Sequence, residues 1–367
     1  MLQVSPRHIL VAGGGGAANT GVKNGFQIFE IINQGDSIVG DSISRHFTGE
    51  FSVYSLSVRA GGQHNNNLPH SVLLAAGHNE YCQVYRLSLA RERSNTGDHG
   101  SLTHRANGAP PGLNTDQHTS RLVFKTEPLK KVQIDYNTGE PYGKVVRVSL
   151  NGKFLASGGD DGHLRVFSFP DLDKVHDFAT HEKEIDDIDF SPDSSKICSI
   201  SKDKRAIVWD VKKGKKHAEL GWECPNNLKY LYKRVKFGCV EGDNKKYKVY
   251  TISNPIGSSK APSFLHRWNT QSYTVEQATS CTGTAFSALA VSDNGTFVAT
   301  GTMMDGIVDI FTSYNLTRVK RVRNAHQTFI TGLEFLPSGP ESAVVRGFKE
   351  ASVISISVDH QVRHSCC

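Results

Sequence analysis

A repeat of about 42 residues constrains this chain more than any other feature. Ser149–Phe167 (SLNGKFLASGGDDGHLRVF) and Ser191–Trp209 (SPDSSKICSISKDKRAIVW) superimpose with Phe154 on Lys196 and Phe167 on Trp209, an offset of 42. Ser292–Phe311 (SDNGTFVATGTMMDGIVDIF) is a third copy, and Leu73–Tyr85 and Ile9–Gly16 are weaker ones. Ala325–Pro337 (AHQTFITGLEFLP) echoes Thr180–Pro192 (THEKEIDDIDFSP) at an offset of 145. A fold that reuses one unit this way is an array or a ring, not a set of unlike domains.

Each unit has the same physical logic. A short apolar strand ends in a turn of Gly, Asp, Asn or Ser, and a second strand with alternating apolar residues follows. Period-2 alternation between such turns indicates half-buried antiparallel strands. Four short strands in about 42 residues is the signature of a β-propeller blade. The unit Thr180–Asp210 carries His181, Ser201, Asp203 and Trp209. It resembles a WD-repeat blade, in which His, Ser, Asp and Trp form a buried network, so these four are read as structural.

The expected fold is therefore all-β, a single seven-bladed WD-repeat β-propeller over 1–364. The blades are placed near 2–48, 50–90, 122–172, 174–218, 220–272, 275–320 and 324–364. The fifth, around Tyr230–Trp268, is long and degenerate. Residues 91–121, polar and nearly free of apolar side chains, read as a loop inserted between blades two and three. Residues 365–367 read as a tail.

Charge and cysteine usage narrow the function. With 42 Lys and Arg against 36 Asp and Glu, the net charge is +6, too dilute for a dedicated nucleic-acid binder. The seven cysteines include no C-x-x-C, so neither a zinc site nor a disulfide framework is expected, and a cytosol-facing compartment fits. No apolar run approaches the ~18–20 residues of a membrane helix. Gly16–Lys23 narrowly misses a phosphate-binding loop, because Val22 separates Gly21 from Lys23. His181–Glu182 does not extend to a zinc-protease motif, and no nucleophile elbow is present. The acidic group Asp186, Asp187 and Asp189 reads as a solvated strand end. The basic groups Lys212–Lys216 and Lys245–Lys248 read as hairpin tips.

One segment is not explained by blade structure. Gly13–Gly16 are four consecutive glycines, followed by AANTGVKNG up to Gly25. An inter-strand turn needs about two to five residues, and this connection is roughly ten longer. Composition alone fits a floppy loop. It also fits an ordered loop whose converging carbonyls, with Asn19, Thr20 and Asn24, hold a monovalent or hard cation.

AGGGGAANTGVKNG at the end of the first long strand resembles the prolactin regulatory element-binding protein family. LLAAGHNEYCQVYRL, FLASGGDDGHLRVF, AHQTFITGLEFLP and ISISVDHQV support the resemblance, which covers essentially the whole chain. The resemblance implies a guanine-nucleotide exchange factor for the Sar-type small GTPase of COPII coats. It places the protein on the cytosolic face of the endoplasmic-reticulum membrane. It also implies a potassium ion held by the loop, with Gly13, Gly14, Gly15, Gly16, Asn19 and Thr20 as candidates. Gly21, Val22, Lys23 and Asn24 would meet the GTPase, with Asn24 essential for exchange. Relatives carry an extra strand ahead of the first blade and a membrane helix after the last. A chain running from Met1 to Cys367 is expected to lack both, which makes a soluble form and an unclosed ring the expectations here. A non-catalytic WD-repeat scaffold is the competing reading, and a DNA-binding regulator a weaker one.

Overall fold

A computed structural model describes residues 2–16, 22–35, 38–60, 71–93, 120–225, 228–257, 260–281, 283–347, 349–359 and 361–367. Seven antiparallel sheets follow one another along the chain. The first comprises β1 (Leu2–Ser5), β2 (His8–Gly13), β3 (Asn24–Asn33) and β4 (Ile38–Gly49). The second has β5 (Ser55–Ala60), β6 (Ser71–Gly77), β7 (Tyr81–Arg93) and β8 (Ser120–Gln133). The third has β9 (Gly143–Val148), β10 (Phe154–Gly159), β11 (His163–Ser168) and β12 (Lys174–Ala179). The fourth has β13 (Ile185–Phe190), β14 (Lys196–Ser201), β15 (Ala206–Asp210) and β16 (Lys215–Glu219). The fifth has β17 (Tyr230–Val240), β18 (Asp243–Pro255), β19 (Ser263–Trp268) and β20 (Val275–Cys281). The sixth has β21 (Phe286–Val291), β22 (Phe297–Thr302), β23 (Val308–Thr312) and β24 (Arg318–Val322). The seventh has β25 (Ile330–Phe335), β26 (Ser352–Ser357) and β27 (Val362–Cys366), with a short helix α1 (Ala343–Arg346) between its first two strands.

The fold class is the expected one, a seven-bladed β-propeller. The blade boundaries are shifted from those read in the sequence. The stretch 122–133 was assigned to blade three, but it belongs to β8, the outer strand of blade two, where Tyr81 pairs with Gln133. Of the expected insertion 91–121, residues 91–93 belong to β7 and 120–121 to β8, so it falls inside blade two and not between blades; 94–119 lie outside the described residues. The pattern failed because outer strands carry little apolar signal; β12, β16 and β24 are mostly exposed. Cys366, read as tail, is paired with Ser352 in the last blade. Lys245–Lys248, read as a hairpin tip, lie within β18.

Each gap between neighbouring blades holds its own apolar cluster. Leu10 and Ile28 of blade one meet Leu74 and Leu87 of blade two. Val146 and Leu155 meet Ala75 and Val84, and Ile185 and Ile188 meet Val145 and Ala156. The same arrangement continues through blades four to seven. The middle strands β10, β14 and β22 are buried along almost their whole length because a blade packs on each of their faces.

Among the described residues blade seven has three strands, and its seam with blade one is closed by other contacts. Val345 of α1, Leu336 and Ile354 pack on Ile9 and Ile31 of blade one. The Asn33 side chain donates to the Val345 carbonyl at 2.9 Å. The expectation of an unclosed ring is thus corrected. A helix in the β25–β26 connection supplies the apolar contact at the seam.

Repeated turns and networks explain the sequence period. Ser149, Ser191 and Ser292 each accept a backbone N–H five residues on, from Phe154, Lys196 and Phe297, at 3.0, 2.9 and 2.9 Å. His181 Nδ1 meets Asp203 at 2.8 Å, His181 Nε2 meets Ser199 at 2.9 Å, and Trp209 Nε1 donates to Ser199 at 3.1 Å. The hydroxyl in this network is therefore Ser199, not Ser201 as the sequence reading had it. Ser201 instead donates to the Lys183 carbonyl at 3.0 Å. Blade seven repeats the arrangement with His326, Asp359 and Ser355. The acidic group is not a solvated strand end either. Asp187 is buried, pairs with Arg147 at 2.9 Å and accepts Val235 N–H, while Asp189 accepts Phe237 N–H at 2.8 Å. These carboxylates lace the inner strands of three blades together.

Candidate functional site

The connection from β2 to β3 leaves the ladder at the pair Gly13–Gly25. Asn19, Thr20 and Gly21 lie outside the described residues, so the site is built from the two arms of the loop. Gly15 N–H donates to the Val22 carbonyl at 3.1 Å, which pinches the arms together. Gly16 has φ +68°, a left-handed conformation that favours glycine. Not all four glycines are equally required. A Cβ on Gly14 would stand 2.1 Å from Asn24 Oδ1, whereas one on Gly13 would meet nothing within 4 Å.

Asn24 is at the centre of this base. The β3–β4 register shifts between Asn24 and Gly25, so that Asn24 faces Gly49 while Gly25 faces Phe47. Such a bulge re-aims a side chain, and here it turns the amide inward. Asn24 Oδ1 accepts Gly16 N–H at 2.9 Å and the Ser52 hydroxyl at 2.9 Å. Its Nδ2 donates to the carbonyls of Gly16 at 3.2 Å and Gly49 at 3.1 Å. Both donors and both acceptor sites are used, which also fixes the amide orientation.

With 5% of its surface exposed, Asn24 does not present a contact surface, contrary to the expectation that it meets a partner directly. Its neighbours do. Val22 is 47% exposed, and Lys23, also exposed, sets its ammonium 5.0 Å from the centre of the Phe47 ring. Phe47, Phe51 and Tyr54 are exposed aromatics on β4 and the linker into blade two. An open groove of about 1180 Å³, lined by Val11, Gly14, Phe26, Phe47, Ile356 and Val358 among others, runs beside the loop towards blade seven. The partners of Asn24 were not visible in the sequence, because Gly49 and Ser52 lie 25 and 28 residues away. The dipeptide Asn24–Gly25 was the one local signal.

The other polar constellations are closed. Ser199 has the spacing of a nucleophile beside His181 and Asp203, yet both Ser199 and the His181 side chain are fully buried. That set braces a blade. Among the described residues no group of three or more His, Cys, Asp or Glu side chains could hold a metal ion. All seven cysteines are free. No helix among the described residues is long and apolar enough to cross a membrane.

The WD domain, G-beta repeat model matches residues 142–168 and 172–210. Guanine nucleotide-exchange factor SEC12 of Rattus norvegicus is 30% identical over 98% of this chain and 86% of its own length. The SEC12 of Mus musculus matches to the same extent. The chain belongs to the SEC12 family. SEC12-like protein 1 of Arabidopsis thaliana is 38% identical over 71 residues, which is 19% of this chain and 18% of that protein. This bears out the resemblance to the prolactin regulatory element-binding protein family, which is the SEC12 family, read in the sequence from the blade-one loop and the blade motifs together.

Proposed function

We infer that this chain is a guanine-nucleotide exchange factor for a Sar-type small GTPase, working through the blade-one loop to start COPII vesicle formation. The observation that carries the reading is the loop itself, in a chain whose SEC12 relatives are named exchange factors. An ordinary blade needs no such loop. This one is anchored at its base by a fully bonded Asn24 and flanked by exposed Val22, Lys23 and Phe47.

Exchange needs no covalent step. A protein accelerates GDP release only by binding the nucleotide-free GTPase more tightly than the GDP-bound form. A loop ordered in advance loses less entropy on docking, so more of its contact energy goes into that difference. Val22 and Lys23 would touch the GTPase. Asn24 acts indirectly, by holding Gly16 and the loop base in place.

The potassium ion is part of the proposal. The described arms of the loop bring neutral peptide groups and no carboxylate, and the one charged side chain among them, Lys23, lies against the Phe47 ring; such a donor set suits a monovalent cation better than a divalent one. Carbonyls from Gly13, Gly14, Gly15 and Gly16, with Asn19 and Thr20, would hold it. The bound ion would offset the repulsion of converging carbonyl dipoles. The site of action would be the cytosolic face of the endoplasmic-reticulum membrane.

The test is release of a fluorescent GDP from candidate Sar-type GTPases, run first in potassium and then in sodium. Acceleration in potassium that weakens in sodium is expected. A folded protein that binds the GTPase but accelerates release in neither salt is a scaffold, and the exchange reading fails.

A further inference from the structure

Asn24 is itself held from the next blade. Ser52 sits in the linker between β4 and β5, with 6% of its surface exposed, and its hydroxyl donates to Asn24 Oδ1 at 2.9 Å. The Ser52 carbonyl is met in turn by His78 Nδ1 at 3.1 Å, from the turn between β6 and β7. That carbonyl can only accept, so the His78 proton is on Nδ1. His78 Nε2 is then a bare, buried acceptor with no partner among the described residues. Burial also pushes the imidazole pKa down, in keeping with a neutral ring. The rings of Phe51 and Tyr81 pack beside it.

The chain of contacts runs from blade two, through a single serine, to the loop of blade one. We propose that Ser52, set by His78, is a positioning residue that fixes the exchange loop through Asn24. Ser52 does not touch the GTPase. Without its hydroxyl, Asn24 Oδ1 would keep only the Gly16 N–H, and the loop base would be held by three bonds to backbone groups of Gly16 and Gly49 with no brace from outside blade one. This inference rests on the exchange-factor reading, so its test needs a readout that does not depend on exchange.

The experiment pairs GDP release from a Sar-type GTPase with amide hydrogen exchange of the whole chain, for Ser52→Ala, Ser52→Thr, His78→Ala and His78→Asn. Thr restores the hydroxyl, and Asn places an amide donor near the position of Nδ1. Loss of this one hydrogen bond should slow catalysed release on the order of tenfold in Ser52→Ala and His78→Ala. Ser52→Thr and His78→Asn should recover most of the rate. Amide protection at Gly16 should fall in both Ala variants while protection in β10 and β14 is unchanged. Native release with native Gly16 protection in Ser52→Ala overturns the proposal, and so does lost protection with a native release rate. If the unmodified protein accelerates no GTPase, the exchange reading has failed. Gly16 protection then still decides whether Ser52 positions the loop.

Discussion

Asn24 and Gly16 bond to each other twice across the base of the blade-one loop. Gly16 N–H donates to Asn24 Oδ1 at 2.9 Å, and Asn24 Nδ2 donates back to the Gly16 carbonyl at 3.2 Å. Together with Gly49 and Ser52, this makes Asn24 the residue on which the loop conformation depends. Replacing it should cost about 1–3 kcal/mol, because buried partners lose their bonds. Asn24→Ala should therefore abolish accelerated GDP release while the propeller still folds. Asn24→Asp keeps the acceptor side but loses both donors, and it should fail as well. Near-normal release by either variant, checked beside circular dichroism, would count against an exchange role for this loop.

The glycines should separate. Gly14→Ala forces a Cβ to within 2.1 Å of Asn24 Oδ1, whereas Gly13→Ala meets nothing within 4 Å. Gly14→Ala should lose most of the catalysed release, and Gly13→Ala should retain it. Equal activities in the two variants would show that the close Gly14–Asn24 approach does not matter for exchange.

The seam should be a weak point of the ring. Val345 of α1 is buried against Ile9 and Ile31, and Asn33 caps the same helix from blade one. Val345→Ala leaves a small void and should cost roughly 1–3 kcal/mol. Asn33→Ala should cost less, about 1 kcal/mol. Urea midpoints measure both. If neither moves, the seam is held elsewhere.

Stability should fall on mild acidification. Burial holds His266 at about 3, far below its ordinary value of 6.5, and it also lowers His8, His46, His78, His181 and His364. A depressed histidine is protonated first in the unfolded chain. Its stabilising contribution is complete above pH 6.5 and is lost as pH falls towards the folded value. Between pH 7.5 and 5, His266 alone should remove about 2 kcal/mol. Melting temperatures across that range provide the check, and His266→Phe should flatten the slope. A flat profile in the unmodified protein would contradict this.

The blade networks should matter unequally. Ser199 joins His181 to Trp209, and Ser199→Ala leaves His181 Nε2 and Trp209 Nε1 without their partner, at about 1–3 kcal/mol. Ser157, the matching residue one repeat earlier, has a buried hydroxyl with no partner among the described residues, and Phe167 stands where blade four has Trp209 and offers no donor, so Ser157→Ala should be neutral or stabilising. Thermal melts of the two variants distinguish the cases.

What the sequence determined by itself is the repeated unit. The 42-residue offset, the Gly, Asp and Ser turns and the alternating apolar residues are local, and they dictate an antiparallel blade wherever they recur. The long Gly-rich loop and the family were legible for the same reason. Tertiary structure decided the rest, because those features depend on residues distant in sequence. The outer strand of blade two is recruited from beyond residues 94–119, and Phe124 is the only buried one among its described side chains, so it carries little apolar pattern. Ser199 and Ser201 share a face of β14, so what tells them apart is where along that strand His181 docks; the position of Ser199 four residues before Asp203, like Ser355 before Asp359, was a missed clue. Seam closure rests on a helix 312 residues from its partner Asn33. Asn24 was legible as important. That it acts from inside the protein, braced by Gly49, Ser52 and His78, follows only from how blades one and two pack.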